Sequence, residues 1–377
     1  MSFFGNSAIN RVNLHTGIQT LAQGMGGVFV LVFLLRAGVP LPLVILTQGA
    51  MSAVRFGLRG VVVPVARRIG VKGTLFAGTV LEAVFFPALP MVHGPDIWLL
   101  ALILIGPLGS ALYWTSYHAY FAALGDAEHR GGQIGAREAL AALVNIAAPL
   151  IGGWALVTAG PWPMFLAAGL VQLLAAVPLL GMPNLAVADT GPRGLKAGGI
   201  GAALMLTDGW FGAGYHYVWM IALFVALGEN FQTYGGAMAL AGVAGAAFGL
   251  IAGRLIDLGH GRRSTLVAYG IGAGILALRA ASLHTPWLAV TANALGALFV
   301  SLQATVMMTP VYNLAKRSPC PLRFHVATEG GWDIGAACGC TAAAALTAAG
   351  LPLSVAILLA GLGGVAAVAM LWRTYES

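Results

Sequence analysis

Charged residues are scarce in this chain, so those that interrupt apolar runs mark the places where chemistry can occur. Glu329 and Asp333 stand four apart in TEGGWDIGAACGC, which on a helix puts both carboxyls on one face. A carboxyl pair at membrane depth can bind and release a proton, or it can simply pair with Arg317, Arg323 or an arginine of the second apolar run. Arg55 and Arg59 share the same four-residue spacing. They suit an anionic solute or a proton-releasing carboxylate, or else structural ion pairs with Glu82 or Glu138. Asp208 begins TDGWFGAGYHYVWM, where three glycines within six residues can loosen a helix. Trp210, Tyr215 and His216 follow it with aromatic surface and an imidazole, and Gln303 adds an amide farther on. In LYWTSYHAYF, helical spacing aligns Tyr113, Tyr117 and Tyr120 on one face, with Trp114 and His118 on the next. Tyr113 and Tyr117 are the residues of that wall expected to meet a solute; an interfacial aromatic belt is the other reading.

Other chemistry finds little support. Phosphate-cradling loops, an HExxH metal motif and a defensible Ser–His–Asp order are all missing, so neither an enzyme nor a cofactor is expected. Cys338 and Cys340 lie two apart and point in different directions on a helix, a poor chelate, although His216 and Met220 at i, i+4 could share one soft ion. No resident metal is expected, and transition-metal uptake stays an alternative. Three cysteines are too few and too clustered for a disulfide framework.

These residues must be positioned by membrane helices. Of 377 residues, 59% are hydrophobic and 8% charged, against about 25% charged in a soluble domain. Apolar runs of about 20 residues, enough to cross roughly 30 Å of hydrocarbon, recur throughout. They fall near 14–36, 41–66, 73–93, 97–124, 135–158, 162–184, 200–227, 233–256, 264–284, 286–314, 325–349 and 351–372. The polar start, MSFFGNSAINRVNLHTG, lacks a cleavable signal pattern, so the first span is expected to be retained. The net charge of +7 sits in short loops beside the spans, which argues for membrane topology and against nucleic acid. With the N-terminus inside, one set of loops holds Arg67, Arg68, Lys72, Arg130, Arg193, Lys196, Arg262, Arg263, Lys316, Arg317 and Arg323, and the other only Arg36. Both termini are therefore expected in the cytoplasm. The polar stretch AVADTGPRGLKAGG divides the chain into a bundle at 1–186, a linker at 187–199 and a bundle at 200–377, six spans on each side.

GRLIDLGHGRR at 253–263 resembles the signature that major facilitator transporters carry between spans eight and nine. It supplies a glycine, Gly253, an acid, Asp257, and a basic pair, Arg262 and Arg263, with one residue more than the usual spacing. The first-half counterpart, GVVVPVARRIGVK, lacks the acid. APLIGG at 148–153 resembles the proline–glycine pattern of drug–proton antiporters, with Pro149 bending the helix and Ala148 where glycine is commoner. The resemblance implies an all-α integral membrane protein with twelve transmembrane helices in two pseudo-symmetric six-helix bundles. It also implies alternating access around a midplane site, with span seven lining the cavity and the third helix of each triplet in support.

The expected function is secondary active transport of a small solute across the inner membrane by a monomer, driven by protons, with a tilt to efflux. Substrate contacts fall to Arg55, Tyr113, Tyr117, Trp210, Tyr215, His216 and Gln303, and proton exchange to Asp208, Glu329 or Asp333. Arg59, Glu82, Glu138, Pro149, Gly253, Asp257, Arg262 and Arg263 are expected to gate or support. A small organic anion importer or uniporter and a non-transporting membrane scaffold are the alternatives.

Overall fold

The computed structural model describes residues 7–124, 130–187, 195–255, 261–316, 318 and 321–374. Among them there is no strand, and every regular element is a helix. Lipid offers no partner for a backbone N–H or C=O, so a segment crossing it must satisfy those groups internally.

Helix α1 spans Ser7–Arg36 and tightens into a short 3₁₀ turn at Gly27–Phe29. The next helix, Leu41–Ala88, would extend about 70 Å at about 1.5 Å per residue, more than twice the hydrocarbon thickness. Gly70 breaks it, at φ 77°, into α2 (41–69) and α3 (71–88). That left-handed conformation favours glycine, and the backbone around the break is met by the segment 182–185, which follows the sixth helix. Val71 N–H donates to Leu185 O at 2.9 Å, Asn184 Nδ2 donates to Ile69 O at 2.7 Å, and Lys72 Nζ donates to Met182 O at 2.9 Å.

The chain continues through α4 (Ile97–Leu124), α5 (Arg130–Thr158) and α6 (Pro161–Leu179). Asp96 caps α4: its carboxylate accepts N–H bonds from His93 and Leu99, which hold it below the usual carboxylate range. After residues 188–194, α7 runs as Leu195–Gly212, a π turn at Ala213–Val218, and Trp219–Ala226. The glycines read as able to loosen this segment lead into that wider turn, which widens the helix without breaking it. Then come α8 (Phe231–Leu255), α9 (Gly261–Ala281), α10 (Pro286–Lys316), α11 (Pro321–Ala348) and α12 (Leu353–Leu358 with Ala360–Thr374). Several bounds differ from those read from hydropathy: α5 starts at Arg130, five residues early, because hydropathy does not register a polar first turn.

Among the described residues, seven stretches are apolar and long enough to cross a membrane by length and composition: Ser7–Arg36, Leu41–Met91, Ile97–Phe121, Leu140–Thr158, Pro161–Leu179, Arg262–Ala281 and Leu353–Arg373. One of them, Leu41–Met91, contains both α2 and α3. Helix α11 falls outside this set and carries Arg323, Glu329 and Asp333.

Among the described residues, two broad seams carry most of the contact between the first six segments and the last six. At one, α2 packs on α11; at the other, α5 packs on α8. The α5–α8 seam is built of small residues and backbone. A Cβ on Gly153 would sit 2.5 Å from Phe231 O, and one on Gly242 would sit 2.8 Å from Asn145 O. Gly235 lies directly against Pro149 O. The APLIGG stretch also seats α5 on α1, with Ala148 against Gly24 and Gly152 against Met25.

Candidate functional site

The α2–α11 seam carries the densest ionic cluster among the described residues. Asp333 is fully buried and bridges two arginines, with Arg55 Nε 2.5 Å from Oδ1 and Arg59 Nε 2.6 Å from Oδ2. Arg59 also reaches Glu329 Oε2 at 3.2 Å and donates to Thr115 Oγ1 at 2.8 Å. Arg55 donates to Ser110 Oγ at 3.3 Å and sits 5.2 Å from the ring centre of Trp332. The four-residue spacings read from the sequence thus meet: the pair on α2 clasps the pair on α11, with α4 supplying hydroxyls. Two acids face two arginines, so the cluster is neutral when all four are ionised. Toward its far side, His118 Nε2 lies 3.9 Å from Glu329 and the His118 ring stacks on His325 at 5.8 Å.

A central cavity of about 380 Å³ opens beside this cluster. Its polar wall includes Gln23, Gln48, Arg55, Glu82 and Tyr217, and Trp114 supplies aromatic surface. Arg55 therefore belongs both to the cluster and to the cavity. Its ion-pair partner is Asp333 rather than Glu82, the pairing between the second run and the Glu329–Asp333 stretch that the sequence also offered. The Glu138 side chain lies outside the described residues.

Glu82 was expected in a supporting position, yet it lines the cavity. The α3–α4 packing puts it there: a Cβ on Gly109 would come 2.9 Å from Glu82 N and 3.1 Å from its Cγ. A larger residue at 109 would displace the acid. Glu82 accepts from Gln172 Nε2 at 2.9 Å, and no ion pair to it occurs among the described residues.

The other expected residues scatter. Tyr113 and Tyr117 stack at 5.9 Å inside a closed cluster with Val12, Leu75 and Tyr120, and they are not in the cavity wall. From that helix it is Trp114, one step round, that reaches the wall, because the tyrosine face turns into the bundle. Asp208 is hydrogen-bonded by Gln303 and by Trp332, the ring beside Arg55, so it adjoins the cluster without an ion pair to it among the described residues. Trp210 Nε1 donates to Leu359 O at 3.1 Å, and Tyr215 donates through its hydroxyl to Gly296 O at 2.9 Å. His216 is exposed, and neither it, Trp210, Tyr215 nor Gln303 lines the cavity. From α7 the wall receives Tyr217 and Met220 instead. Pro149 lies in the α5–α8 seam. Gly253 is part of α8, Asp257 lies outside the described residues, Arg262 stacks over Trp372 at 5.0 Å, and Arg263 is exposed.

Arg279 on α9 is buried and donates to Tyr215 O at 2.6 Å, a carbonyl within the π turn. Its guanidinium lies 4.0 Å from the Tyr215 ring centre and 4.7 Å from that of Trp219. Gln23 and Gln48 went unremarked in the sequence, although a lone amide inside an apolar run is a readable signal. The cysteines diverge as expected, Cys338 exposed and Cys340 buried. Among the described residues no group of three or more His, Cys, Asp or Glu side chains could hold a metal ion.

No protein-family model matches the chain, and no curated protein matches it by sequence. Solved structures do match. The POT family transporter PepTSo superposes with a TM-score of 0.69 at 12% identity, covering 98% of both chains. The nucleoside transporter NupG superposes with a TM-score of 0.66 at 13% identity, covering 98% of this chain and 99% of its own. A mutant form of NupG gives 0.67 at 13% identity. At these identities the likeness establishes the fold: this chain has the major facilitator fold, as the GRLIDLGHGRR resemblance implied.

Proposed function

We propose that the chain is a secondary transporter that moves a small solute across the inner membrane by alternating access, with proton exchange at Asp333 releasing the α2–α11 seam. One observation carries this reading: Asp333 is clasped by Arg55 and Arg59 across the seam, and Arg55 also lines the central cavity. A proton on Asp333 removes the charge that both arginines bind. The seam then loosens where a solute would enter, so proton and solute act on one element. Glu329 is a secondary acceptor through Arg59, and Asp208, with its amide partner Gln303, is the less connected carboxyl. The shared fold of two proteins described as transporters supports the class.

In this reading 1–186 and 200–377 rock as two bundles about the linker at 187–199, and both termini face the cytoplasm. The proline–glycine stretch in α5 tilts the direction toward efflux. The arginines required by an anion importer already hold carboxylates, which weakens that alternative.

The test is flux in proteoliposomes under an imposed pH gradient. Asp333→Asn is expected to abolish gradient-driven accumulation and to spare solute exchange. Undiminished accumulation by this variant would overturn the assignment to Asp333. No flux of any solute through the unmodified protein would favour the scaffold.

A further inference from the structure

The charges around the cavity do not cancel evenly. Two ionisable side chains of opposite sign reach its wall, Arg55 and Glu82. Arg55 is committed to Asp333 at 2.5 Å. Glu82 accepts from the neutral amide of Gln172, and no cation pairs with it among the described residues. The wall therefore presents an acid still lacking a counter-charge, next to a base that already has one.

The neighbouring surface suits the same ligand. Phe85, one helical turn beyond Glu82, and Trp114 lie in the same wall. Aromatic faces attract cations through the ring quadrupole. Gln23 and Gln48 offer amide oxygens that accept from an N–H donor. The volume of about 380 Å³ falls at the lower end of small-molecule sites.

We propose that the cavity takes a positively charged organic solute, a protonated or quaternary amine, with Glu82 as its counter-ion and Trp114 and Phe85 as its aromatic walls. This rests on the transport reading for its direction of movement, but not for binding itself. A proton on Glu82 would displace the solute by removing its counter-charge. The charged group facing Glu82 in that competition is Arg55 from α2, while α1 and α6 present the neutral amides of Gln19 and Gln172.

The experiment is equilibrium binding to the purified, full-length protein with labelled tetraethylammonium and phenethylammonium. Phenylpropionate and phenylpropionamide serve as anionic and neutral controls of matching shape. Both cations are expected to bind in preference to the controls, more weakly as pH falls. Glu82→Gln should weaken both at least tenfold, and Glu82→Asp should retain part of the binding. A thermal melt of each variant separates loss of the site from loss of fold. Absent cation binding, preference for phenylpropionate, or unchanged binding in a folded Glu82→Gln protein would overturn the proposal. Flux of phenylpropionate without cation binding would overturn the ligand class and leave transport standing. Cation binding without flux of any solute would keep the site and sink transport.

Discussion

The two seams that join the first and last six segments are built from opposite materials. Between α2 and α11 the contact is charged: Asp333 lies between Arg55 and Arg59, with Glu329 behind. Between α5 and α8 it is backbone on backbone, through Gly153, Gly235 and Gly242. Each has a different dependence on separation and state. A buried ion cluster is strong while every charge is present and becomes a liability once one is neutralised, because the remaining charges stay desolvated. Close packing of small residues depends on shape alone and lets helices slide with little change in energy. One seam can act as a latch that responds to protonation, and the other as a bearing that does not.

The comparison breaks first at Asp333. Asp333→Asn leaves the buried guanidinium of Arg59 and the half-buried one of Arg55 facing a neutral amide, and the expected loss of stability is about 3–5 kcal/mol, read as a fall in melting temperature in detergent. A loss below about 1 kcal/mol would mean that the seam does not depend on its charges. Next comes an asymmetry between the arginines. Arg59 meets two acids, Asp333 and Glu329, besides Thr115, whereas Arg55 meets one acid, Asp333, besides Ser110, Tyr217 and the Trp332 ring. Arg59→Lys should therefore be more destabilising than Arg55→Lys, by about 1.5 kcal/mol for one charge-assisted hydrogen bond, in paired melts. On the other seam, Gly242→Leu should cost about 1–3 kcal/mol by overpacking. That loss should not vary with pH between variants, in contrast to the α2–α11 changes. The smallest effect is expected at the outer end, where Arg36 meets Glu229 at 3.4 Å with both side chains exposed. Glu229→Gln should change stability by less than about 1 kcal/mol, and added salt should shrink even that.

Much of this arrangement was legible in the residues. The four-residue spacings of Arg55 with Arg59 and of Glu329 with Asp333 marked one face on each of two helices, and those faces meet. Spacing within a helix carries no information about which helix stands opposite, so the partner of Arg55 stayed open between several carboxyls. The rotation of α4 was similarly hidden. Its tyrosines and Trp114 occupy adjoining faces, and only the close approach of α3 at Gly78 and Gly109 decides which one turns inward. That same approach carries Glu82 to the cavity, which a rule assigning third helices to support does not capture. The break at Gly70 and the π turn in α7 depend on contacts from distant segments, Asn184 for one and Arg279 for the other. Hydropathy averages over both.

The π turn also fixes the register between the two ends of α7. It holds an extra residue relative to the α turns on either side, and one residue of α-helix corresponds to about 100° of rotation. The run from Asp208 to Met220 therefore turns about as far as a plain α-helix one residue shorter, which sets the two side chains about 20° apart around the axis instead of about 120°. From that register Met220 reaches the cavity wall and Asp208 meets Gln303 on α10. Deleting one residue within 213–218 would remove the wide turn and keep both ends in register, whereas straightening the turn without a deletion would swing Met220 off the cavity wall.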